Sequence, residues 1–97
     1  MNPKPIRHRG MVLRWNPETE MWVSSVGPIR VFLCPYEAGN VWGAYVSVRE
    51  EGAGDATRRT HARAIDAALR RAERRIQGRL VADLRLRNRL RKMRGAP

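Results

Sequence analysis

Apolar positions follow two different periods along this chain. As far as residue 49 they alternate with polar ones or gather in short β-branched and aromatic runs, and from residue 57 they recur at steps of three and four. The first half predicts four strands: Met11–Trp15 (MVLRW), Met21–Val26 (MWVSSV), Ile29–Cys34 (IRVFLC) and Val41–Arg49 (VWGAYVSVR). Breakers separate them. Asn16-Pro17-Glu18-Thr19 puts proline at the second position of a type I turn, Gly27-Pro28 interrupts the chain, and Tyr36–Asn40 makes a further turn. The glycine-containing acidic stretch EEGAGD, residues 50–55, reads as a flexible loop. Residues 1–9, with two prolines and interspersed basic residues, read as a flexible basic arm.

The third and fourth runs predict a sheet with two unlike faces. Successive side chains in a strand point to opposite sides, so a four-residue loop over residues 37–40 pairs residue 31 with 46 and residue 32 with 45. Ile29, Val31, Leu33, Ala44, Val46 and Val48 then share an apolar face. Arg30, Phe32, Cys34, Gly43, Tyr45, Ser47 and Arg49 fall on the other. Aromatics and arginines on a sheet face can stack on bases, which makes Arg30, Phe32, Tyr45 and Arg49 candidate base or sugar contacts. Cross-strand packing of the same aromatics is the competing reading. Trp22 and Trp42 lie near strand ends and are candidate partner contacts, since tryptophan is enriched at interfaces; core or rim packing competes there too.

The second half predicts helix. Residues 57–94 are rich in Ala, Leu and Arg and hold no proline. Ile65, Leu69, Ala72, Ile76 and Leu80 draw one stripe down it, and Asp55, Thr57 or Thr60 supplies the N-cap. Gly78 is the place for a bend or stop, because glycine costs a helix about 1 kcal/mol against alanine. An unbroken helix to residue 94 would run about 50 Å, more than a small sheet can cover. Its last part must fold back as a second helix or project. If it projects, Leu86, Leu90 and Met93 form an apolar seam for a partner, most simply a second copy in a homodimer through the C-terminal helix. The expected fold is therefore α+β: an antiparallel three- to four-stranded meander packed against a long basic C-terminal helix, broken near Gly78. It forms a single domain over residues 10–97, with the sheet in 10–49 and the helical region in 56–94.

Charge sharpens this picture. The chain nets +11, with a pI near 11.6. Residues 53–97 contain fourteen basic and four acidic side chains, whereas the first 52 contain six and five. A nearly neutral sheet thus carries a strongly basic helical region. Arginine outnumbers lysine 18 to 2, a bias that GC-rich codon usage favours, although such usage does not account for the total positive charge. Arg63, Arg70, Arg71, Arg74, Arg75, Arg85, Arg87, Arg89, Arg91 and Lys92 are the candidate phosphate contacts. Few acids can offset them by helical pairing: Asp66 and Glu73 reach Arg70, and Asp83 reaches Arg79 and Arg87.

Catalytic chemistry has no visible seat. Neither GxxxxGK[ST] nor GxGxxG occurs, and GxSxG, HExxH and CxxC are likewise missing. The two histidines and the single cysteine are far apart in sequence, so neither a metal nor another cofactor is expected. One cysteine forms no internal disulfide, and no long apolar run is present; a cytoplasmic protein without a membrane span is expected. The first reading is a small non-enzymatic protein that binds DNA or RNA through its basic helix. The second is an inhibitor from a phage or mobile element, of the anti-CRISPR kind, that docks on a host protein or nucleoprotein complex. The third is an RNA- or capsid-associated structural protein.

Overall fold

Six strands hydrogen-bond in chain order, each antiparallel to the next, and two helices lie on one face of the sheet. This α+β architecture comes from a computed structural model that describes residues 3–36, 40–76 and 81–95. The strands are β1 (Ile6–His8), β2 (Met11–Asn16), β3 (Met21–Val26), β4 (Ile29–Tyr36), β5 (Val41–Val48) and β6 (Glu51–Arg58); the helices are α1 (His61–Arg75) and α2 (Val81–Met93).

Short turns set the meander. The β1–β2 and β5–β6 hairpins close on two residues that both have positive φ, Arg9-Gly10 (48° and 80°) and Arg49-Glu50 (52° and 67°). That is the mirror-image type I′ turn, whose twist matches the flanking strands. The β2–β3 loop is longer than the expected type I turn. It closes with the Glu20 N–H donating to the Asn16 carbonyl at 2.8 Å, while the Asn16 side chain accepts from the Glu18 N–H at 2.9 Å.

The central register follows from alternation. Val31 pairs with Val46 and Phe32 with Tyr45. Ile29, Val31, Leu33 and Val46 are completely buried, with Ala44 and Val48 nearly so. Part of the connecting loop, residues 37–39, lies outside the described residues.

Two strands were not expected. The presumed arm contributes β1, in which Ile6 packs against the core and buried His8 meets Asp66 of α1 at 2.8 Å. The presumed loop EEGAGD opens β6. Glycine is a poor strand former, but here it has a packing reason. A Cβ on Gly54 would stand 2.5 Å from the Ala68 carbonyl oxygen and 2.7 Å from the Ala72 nitrogen, so α1 rests directly on the strand backbone. A bulge between Val46 and Ser47 adds Ala53 to the buried face.

Helix α1 begins at the Thr60 cap, whose hydroxyl accepts from the Arg63 N–H at 3.3 Å. Its buried side is mostly small: Ala64, Ile65, Ala68, Leu69 and Ala72. Alanines permit the close approach over β5 and β6. The helix ends at Arg75, and Gly78 and Leu80 lie outside the described residues. The region is thus two helices, of 15 and 13 residues, in place of one long one.

Helix α2 folds back on the body. In its middle Leu86 shares a cavity with Val48 and Ile76, and at its end Arg91 and Arg94 reach Glu73. Leu86, Leu90 and Met93 are 7%, 0% and 9% exposed, so the expected projecting seam does not form. The stripe is buried within the chain instead, in the core cluster shared by α1 and the sheet. Among the described residues no helix is long and apolar enough to cross a membrane.

Candidate nucleic-acid interface

The helical layer carries all ten candidate phosphate contacts. Arg63, Arg70, Arg71, Arg74 and Arg75 of α1 are exposed, as are Arg85, Arg89, Arg91 and Lys92 of α2; Arg87 is half-buried. The placement follows from period. Positions 64, 65, 68, 69 and 72 turn to the sheet, which leaves the arginines at 63, 70, 71, 74 and 75 on the solvent side.

The three helical acids do not offset this charge in the expected way. Asp66 bonds His8 at 2.8 Å and Arg9 at 3.0 Å. That hydrogen bond, with the Asp66 charge behind it, raises the Arg9 guanidinium above its ordinary pKa. Glu73 is buried and takes Arg94 at 2.8 Å and Arg91 at 3.5 Å. Asp83 faces Arg49 at 3.7 Å. The acids therefore pin β1, the end of α2 and the β5–β6 turn. Among the described residues Arg63, Arg70, Arg74, Arg75, Arg85, Arg87 and Arg89 have no acidic partner. Arg79 lies outside them.

The opposite face of the sheet is open. Register places Arg14, Val23, Phe32, Tyr45 and Asp55 in one row across five strands. Phe32 and Tyr45 have ring centroids 5.8 Å apart at 47°. Arg30 pairs with Ser25 beside them and is exposed. A shallow cleft of about 190 Å³ lies here, lined by Phe32, Tyr36, Tyr45, Met21, Cys34 and Thr57 among others. Arg30, Phe32 and Tyr45 thus share a face, but it is the face turned away from the helices.

Arg49 does not belong with them. Alternation along β5 assigns it to the open face, but the strand ends at Val48 and Arg49 enters the turn at positive φ. It instead shares a cavity of about 230 Å³ with Pro28, Ala82, Arg85, Leu86 and Arg89. The tryptophans also have internal roles. Trp15, Trp22, Trp42 and His61 form a ladder with centroid spacings of 4.7, 5.8 and 5.7 Å, and the Trp22 indole donates to the Lys4 carbonyl at 3.0 Å. Trp22 and Trp42 are half-buried against the core, and Leu86, Leu90 and Met93 are part of it. All five residues put forward as partner contacts therefore have partners inside the chain.

Sequence reasoning missed Tyr36, which it assigned to a turn. The ring lies over Gly43, where a Cβ would come 2.4 Å from it. A glycine diagonal to an aromatic on the neighbouring strand is the available signal. It also missed Arg7 and Arg14 as open-face residues, legible from alternation in IRH and MVLRW.

Among the described residues no three of His, Cys, Asp and Glu converge as metal ligands would. No protein-family model, curated protein or solved structure matches this chain.

Proposed function

We propose that the protein is a small non-enzymatic nucleic-acid-binding module whose helical layer supplies the phosphate contacts. One observation carries this reading. Each acid on the helices is used for an internal contact, and among the described residues Arg63, Arg70, Arg74, Arg75, Arg85, Arg87 and Arg89 have no acidic partner. A surface of mixed sign is what solubility alone favours. A face of one sign concentrates polyanions and releases their counterions on binding. Arg70, Arg71, Arg74 and Arg75 form the densest part of it, with Arg85, Arg87, Arg89 and Lys92 on α2 extending it.

Docking on a host protein through Leu86, Leu90 and Met93 has no surface to use, since those side chains are internal. The test is a variant with Arg70, Arg71, Arg74 and Arg75 all replaced by Glu. Binding to a labelled oligonucleotide, followed by fluorescence anisotropy, should weaken by at least about tenfold. The slope of log K against log salt should shrink by about three, because each phosphate that the protein neutralises contributes about 0.7 to 0.9. A correctly folded variant with the parent affinity and slope contradicts the proposal.

A further inference from the structure

The two groups of candidate residues lie on opposite faces, yet a chain of depressions joins them around one end of the body. The cavity of Arg49, Arg85 and Arg89 shares Arg49 and Leu86 with a second, of about 310 Å³, that adds Arg75 and Ile76. That one shares Gly52, Ala53 and Arg75 with a third, of about 450 Å³, which adds Arg71 and Tyr45. The third shares Tyr45 and Asp55 with the aromatic cleft on the open face. The order along this track is Arg89, Arg85, Arg49, Arg75, Arg71 and then Tyr45.

Small residues keep the track open where it rounds β6. Gly52 and Ala53 put no bulk into it, and the Tyr45 hydroxyl reaches over Gly52, where a Cβ would come 2.5 Å from it. The Arg71 guanidinium donates to the outward Asp55 carbonyl at 2.7 Å, which caps the sheet edge against another strand and keeps the charge on the track. Three carboxylates also line it. Asp83 faces Arg49 at 3.7 Å, Asp55 stands 4.0 Å from Arg71, and Glu51 is exposed. Arg75, Arg85 and Arg89 have no acidic partner among the described residues.

We infer that this track binds a single-stranded nucleic acid, its phosphates along the arginines and an unstacked base on Tyr45, Phe32 and Tyr36. The inference rests on the nucleic-acid reading above and gives it a ligand class and a path. Shape and stiffness argue for a single strand. The track turns from the helical side to the open face on a body 43 × 24 × 23 Å. A duplex, stiff over about 50 nm, does not follow such a turn, and its bases are stacked and paired. A single strand bends freely and offers each base to an aromatic ring.

The experiment uses the full chain with oligo-dT and oligo-U of about twelve nucleotides and a duplex of equal length. One or both single strands should bind more tightly than the duplex at the same salt, and the two arms tell DNA from RNA as the source. Tyr45→Ala, on an exposed position, should lower the ratio of single-strand to duplex affinity about tenfold, and Tyr45→Trp should hold it. Arg49→Gln with Arg89→Gln should weaken single-strand binding and its salt slope together. If the duplex binds at least as tightly as both single strands, or if Tyr45→Ala leaves the ratio unchanged, this inference is overturned while the nucleic-acid reading stands. Failure to bind any of the three overturns both.

Discussion

Arg49 and Glu50 both have left-handed backbone, at φ 52° and 67°, in a turn where Asn-Gly would sit without strain. Such a conformation costs a non-glycine residue about 1 kcal/mol or more. The Arg49–Asp83 contact, 3.7 Å long and on a side chain 58% exposed, recovers little of that. Arg49→Asn with Glu50→Gly should therefore stabilise the fold by about 1 kcal/mol, read as a higher urea midpoint. Loss of stability by a similar amount would mean that the Arg49 contacts outweigh the strain. The same pair should weaken nucleic-acid binding, because Arg49 lines the arginine cavity at the end of α2. Nothing in the run VWGAYVSVR marks Arg49 as a turn residue, and that is why alternation put it on the wrong side. The internal use of Asp66, Glu73 and Asp83 was equally hidden, since helical spacing gives local neighbours and these acids bind residues far away in sequence.

Elements show a different balance. The face shared by Ile29, Val31, Leu33, Ala44, Val46 and Val48 was legible because its period is unambiguous and its loop length fixes the register. Strand β6 was not, because the glycines that argue for a loop are there for the helix. Gly54→Ala should destabilise the protein by about 1–3 kcal/mol in chemical denaturation, since the new methyl group meets helix backbone that has no rotamer to yield. A neutral result would show that α1 can lift from β6. Helix α2 gives the complementary case. Its spacing identified Leu86, Leu90 and Met93 as one apolar side, but spacing does not say whether that side covers a neighbouring copy or the chain's own sheet. Leu90 is fully buried here. Leu90→Ala should cost about 2–5 kcal/mol in a dilute monomer, with a lower Tm at every protein concentration. A cost that appears only at high concentration would point to an interface between copies.

For the whole molecule, charge was readable from composition and its geometry was not. A net charge of +11 attracts polyanions in general without saying which surface would meet one. Folding divides the candidates: Arg63, Arg70, Arg74 and the arginines of α2 on one side, Arg30 with Phe32 and Tyr45 on the other, and Arg49, Arg71 and Arg75 around the edge between them. The alternation and stripe patterns that found these residues carry no information about how two helices lie across six strands. The pKa of Arg9 is raised from an already high value by its hydrogen bond to Asp66, so Arg9 keeps its charge across the ordinary pH range. Salt is accordingly the variable that binding should follow. The most direct measurement is the affinity of the full chain for single-stranded DNA, single-stranded RNA and duplex, each titrated from about 50 to 200 mM salt. Log K should fall linearly with log salt, with the slope of several released counterions, and binding to at least one ligand should persist near about 0.15 M. Equal, weak attraction to all three that is gone by that salt concentration would contradict the nucleic-acid reading.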